Sequence, residues 1–147
     1  MTGQENVMSF PLWMLLGFAM WTAAILVFAI GTYRFSHIFT GRAGMASFPA
    51  DGRDGAAWYQ RAMRAHANCV ENLPLFTVVV FALQASGISS GTADALAGAA
   101  LAARIVQSLV HISSVQTDCI VTIRFTFFFV QLLCFVGIAG IVFAQLR

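Results

Sequence analysis

The chain has 147 residues, 59% of them hydrophobic and 10% charged, with a formal net charge of +2. Soluble domains average about 45–50% apolar and about 25% charged residues, so this composition excludes a soluble domain and makes the bilayer the solvent. The eight basic residues are all arginines and are dispersed along the chain, which excludes nucleic acid as a partner.

Three uncharged runs, Leu12–Tyr33, Asn72–Ala93 and Phe125–Leu146, are long enough to cross a hydrocarbon core, which takes about 20 apolar residues. A fourth, Ala95–Val115, is as long but carries Arg104 in its middle. The runs are continuous rather than alternating, so they read as helices and not as strands of a barrel. The prediction is an all-α membrane protein, a four-transmembrane-helix bundle forming one domain over residues 1–147. Its helices are expected at about 11–34, 58–86, 94–113 and 120–146.

Span one opens at Pro11, which suits a first helical turn, and is expected to end at Tyr33-Arg34. It is longer than the apolar part of a signal peptide and its basic residues follow it, so it is expected to stay as a span. The first loop, Arg34 to Arg61, holds the turn-rich pieces Thr40-Gly41-Arg42 and Ala50-Asp51-Gly52. Span two starts near Trp58 and runs to about Ser86, and Gly87-Ile88-Ser89-Ser90-Gly91 turns the chain into span three, with Asp94 in helix-opening position. Gln116-Thr117-Asp118 links it to span four. The arginines Arg34, Arg42, Arg53, Arg61 and Arg64 lie in or beside the first loop and the second loop has none. The positive-inside rule then puts the first and third loops in the cytoplasm and both termini outside, in the cell membrane if the source is bacterial. Span three is rich in alanine and span four has Gly137 and Gly140, small residues that let membrane helices approach closely. Cys69, Cys119 and Cys134 have no metal-ligand spacing, and no metal is expected.

Ionisable residues inside spans are functional-site candidates, because each costs at least about 2.5 kcal/mol at the bilayer centre. Arg64, Asn68 and Glu71 fall on one face of span two, and Arg104, Gln107 and His111 on one face of span three. Folding the hairpins about their turns brings both sets and Arg124 into one layer on the cytoplasmic side, with His66 at a similar depth and Arg104 at the floor. Glu71 and Arg104 can pair as a structural clasp, and Arg64 can equally be a snorkelling side chain at the interface. Once Glu71 is paired, Arg64 and Arg124 are left without carboxylates, which suits an anionic ligand.

The segment Arg64-Ala65-His66-Ala67-Asn68-Cys69-Val70-Glu71-Asn72-Leu73-Pro74-Leu75-Phe76 resembles the second-helix signature of the MAPEG family, membrane-associated proteins in eicosanoid and glutathione metabolism. Ala103-Arg104 in the third span and Ile123-Arg124 at the start of the fourth resemble the family as well, so the likeness covers essentially the whole chain, that of a bacterial-type member resembling microsomal glutathione transferases. The resemblance implies a homotrimer that binds glutathione between subunits at the cytoplasmic side. By position it makes Arg34, Arg64, His66, Asn68, Glu71, Arg104, Gln107 and His111 glutathione-site residues, and gives Arg124 the catalytic task of stabilising the thiolate. The implied activity is glutathione-dependent transfer or peroxidase chemistry on lipophilic electrophiles that arrive from the membrane lipid. Phe125, Phe127 and Phe128 are the apolar faces where they would pack. The alternative is a non-enzymatic lipid- or partner-binding scaffold of the same fold. The chain departs from the family's pattern at His111 and Gln107, where relatives carry tyrosine, or His or Tyr. It departs again at Asn72, and at Phe125, where the prostaglandin branch has a serine. A transporter would need a polar path through the outer halves of the spans, and none is present.

Overall fold

The computed structural model describes residues 8–48 and 54–145. The Ala50-Asp51-Gly52 turn, Arg53 and the expected helix end at residue 146 lie outside the described residues. Among those described there are no strands, and four helices are long and apolar enough to cross a membrane: α1 Phe10–Phe39, α2 Ala57–Ala85, α3 Gly91–Ser113 and α4 Asp118–Gln145. The protein is an integral, multi-pass, all-helical membrane protein.

α1 continues past Arg34 to Phe39, so the first charge does not end the helix. Thirty residues span about 45 Å, well beyond a core of about 30 Å, and the last turns therefore stand outside the hydrocarbon. The helix stops where Gly41, at φ +67°, can take the left-handed backbone that lets the Gly41 and Arg42 amides donate back to Ile38 and His37. A π-helical stretch, Ile25–Gly31, interrupts α1, and the Thr32 hydroxyl donates to the Phe28 carbonyl (2.6 Å) at its end. α3 begins at Gly91 rather than Asp94 because the Ser90 hydroxyl takes the N-cap and accepts from the Ala93 amide (3.4 Å), leaving Asp94 in the first turn.

Phe18 of α1, Phe76 of α2 and Phe135 of α4 meet in the core, Phe76 lying 5.6 Å from the first ring and 5.2 Å from the second. α3 and α4 form the closest pair. Ala93, Ala97, Ala100 and Ala103 bury one face of α3, and a Cβ on Gly137 would stand 2.9 Å from Leu96 Cδ1, so the small residues do let the helices close up. Gly140 has open space around it instead. Lipid tails are as apolar as leucine, so this packing, not expulsion of apolar surface from water, holds the bundle together.

Candidate functional site

The lower part of α3 carries a polar face, Arg104, Gln107, Ser108 and His111, all buried. Their spacing of three and four residues aligns them along one side of the helix, where α2 and α4 pack. Against this face a cavity of about 290 Å³ opens, lined by Asn68 and Glu71 of α2, Gln107 of α3, and Val121, Arg124, Phe125 and Phe128 of α4. The three helices expected to converge thus do so. Glu71 supplies the only carboxylate in that lining, and the Arg124 Nε is buried without a hydrogen-bond partner. Arg61, Arg64 and Arg124 lie close enough to His111 to act on it electrostatically, and Arg64 acts likewise on Arg124. The cavity lining therefore holds one arginine, Arg124, one acidic group and an apolar wall of two phenylalanines, and Arg64 is not part of it.

The other residues singled out from the sequence lie elsewhere. His111 is 3% exposed and sits behind the cavity rather than in its lining. His66 is half-buried and does not line it, since it stands two residues before Asn68, about 200° round the helix. Arg34 is held on the other side of α2, where its Nε donates to the Tyr59 hydroxyl (2.7 Å) and its Nη2 to Met63 Sδ (3.6 Å), with Phe48 beneath the guanidinium. A larger cavity, about 740 Å³, lies along α1 there, but apart from Thr32 and Arg34 its lining is apolar and it holds none of the clustered polar groups.

Arg104 departs most from expectation. It is 1% exposed, its guanidinium carbon lies 5.4 Å over the Phe18 ring, and its Nε and Nη2 have no hydrogen-bond partner. Among the described residues it makes no hydrogen bond to Glu71. The reason is helical phase. α2 meets α3 through Cys69, whose Sγ lies 3.6 Å from the Ser108 hydroxyl, and Glu71, two residues on, turns away into the cavity. Glu71 acts on Arg104 only through space, whereas the Cys69 thiol lies within hydrogen-bonding reach of its guanidinium.

Two participants were not foreseen. Arg61 Nε donates to the Ile112 carbonyl (3.0 Å) and so caps the C-terminal end of α3. Gln131 is completely buried and hydrogen-bonds Gln107 (3.0 Å). Its signal in the sequence was a lone amide in an apolar helix, seven residues beyond Arg124 and so on the same face.

Four apolar helices enclosing a buried polar face, with a cavity that offers both polar and apolar walls, define a helical membrane protein with a polar site inside its bundle. The chain belongs to the MAPEG family, whose model matches residues 10–144. No curated protein and no solved structure matches it.

Proposed function

We propose that the protein is a glutathione-dependent membrane transferase or peroxidase acting on lipophilic electrophiles. The observation that carries this reading is the cavity itself, where Glu71, Asn68, Gln107 and Arg124 face one space that Phe125 and Phe128 close with apolar surface. Family membership supports glutathione as the co-substrate. The tripeptide has two carboxylates, an amine and a thiol. Arg64, outside the lining but near Arg124, suits a carboxylate, Glu71 the ammonium, and Asn68 can both donate and accept. Arg124 is permanently charged and favours the thiolate, the form that attacks. In the transferase reaction the sulfur bonds to the electrophilic carbon, the leaving group departs with its electron pair, and the thiol proton goes to solvent.

In detergent with glutathione, a chloronitrobenzene is expected to be conjugated with release of chloride. Saturable glutathione binding without any turnover of this or a hydroperoxide substrate favours the scaffold reading instead, for which the missing tyrosine at His111 is the argument. No glutathione binding at all sinks the transferase reading and leaves the lipid- or partner-binding scaffold.

Arg34 and His66 do not line the cavity of their own chain, and this separation supports a site shared between copies in a homotrimer. A particle mass of three chains in detergent is the expected result, and a monomer would refute it. The site faces the cytoplasm in this reading, on the asymmetry of the arginines. A reporter that works only in the cytoplasm, fused after residue 147, is expected to be silent, and activity there reverses the orientation.

A further inference from the structure

We propose that Gln131 is a positioning residue that acts through Gln107 to fix where Arg124 stands. This deepens the glutathione reading and rests on it. Gln131 Nε2 donates to the carbonyl of Phe127 in its own helix (2.9 Å) and to Gln107 Oε1 (3.0 Å), and Gln107 Nε2 donates to the carbonyl of Arg124 (3.0 Å).

The direction of this relay follows from chemistry. Backbone carbonyls can only accept, so the amide atom facing Phe127 and the one facing Arg124 must both be nitrogens. Gln107 is then left with its oxygen toward Gln131, which meets it with the second hydrogen of Nε2. Every amide orientation is dictated by the two carbonyls at its ends. Gln131 is 0% exposed and Gln107 5%, so the amide–amide bond between them is shielded from water. Both carbonyls belong to the first turns of α4, the stretch that carries Arg124, Phe125 and Phe128 to the cavity. The relay pins that stretch to α3 and sets the depth and rotation from which the Arg124 guanidinium extends. Without Gln131 the Gln107 nitrogen still faces the Arg124 carbonyl, but its oxygen loses its anchor, the side chain is free to move, and the carbonyl is no longer held at a fixed place against α3. Misplacing a catalytic group by about 1 Å can cost as much as 100-fold in rate.

The test uses the full-length protein in detergent, with glutathione as the probe and the ultraviolet absorbance of its bound thiolate as readout. Gln131→Leu, and the near-isosteric Gln131→Met should the first fold poorly, are expected to raise the midpoint of thiol titration by about half a unit. They should lower kcat by about 3- to 10-fold, with glutathione affinity within about twofold of the parent. Gln107→Leu should shift the titration midpoint in the same direction by at least as much, with a loss of affinity of its own because it lines the cavity, and adding Gln131→Leu to it should shift the midpoint no further, because the two act in series. A titration that superimposes on the parent's, alone or with reduced thermal stability, overturns the proposal and leaves Gln131 as a clasp between α3 and α4. A parent that binds no glutathione overturns the underlying reading and this proposal with it, and that outcome is seen before any variant is made.

Discussion

Arg124→Leu is expected to raise the pKa of the bound glutathione thiol by about one unit or more, equivalent to about 1.4 kcal/mol or a tenfold loss of thiolate at neutral pH. His111→Phe should move it much less. Arg124 lines the cavity and its Nε is a buried donor with no partner in the protein, so it is free for a ligand atom. His111 stands among three arginines, but behind the cavity. It can orient neighbours there, while contact with the sulfur is left to Arg124. The sign is simple. A fixed positive charge stabilises the thiolate over the thiol, so its removal shifts deprotonation to higher pH and activity below that midpoint falls. Thiolate absorbance followed against pH with glutathione bound measures both variants. The assignment fails if their order is reversed or if the parent forms no thiolate.

Glu71→Gln is expected to weaken glutathione binding by about 10- to 100-fold, the size of a charge-assisted hydrogen bond of about 1.5–3 kcal/mol. Glu71 is the one carboxylate in the cavity lining, and it is exposed to that space. In the proposed complex its partner is the ligand's ammonium. Calorimetric titration with glutathione and with the N-acetylated tripeptide separates this from a structural effect. The parent should lose affinity when the amine is acetylated, whereas Glu71→Gln should bind both forms alike. If instead Glu71 serves chiefly as counter-charge to Arg104, Glu71→Gln weakens both ligands equally and Arg104→Met restores the binding. That result would move Glu71 from the ligand to the bundle.

Four spans, their order and the helix faces bearing Arg64–Glu71 and Arg104–His111 follow from the sequence, because apolar length and helical period are local properties. The same is true of the family, since the second-helix pattern is a contiguous string. What tertiary structure decided is which polar groups share one space. Depth counted from the hairpin turns put Glu71 level with Arg104, but depth is only one coordinate. The rotation of α2 about its axis is set by Cys69 packing on Ser108 and by small residues that let α3 close against α4, and it turns Glu71 into the cavity while Arg104 goes under Phe18. Gln131 shows the same limit from the other side. Alone in an apolar helix it has only its own helix's Phe127 carbonyl within reach, and only when α3 packs against α4 does it meet a side-chain partner in Gln107, because polar side chains in lipid hydrogen-bond across helices.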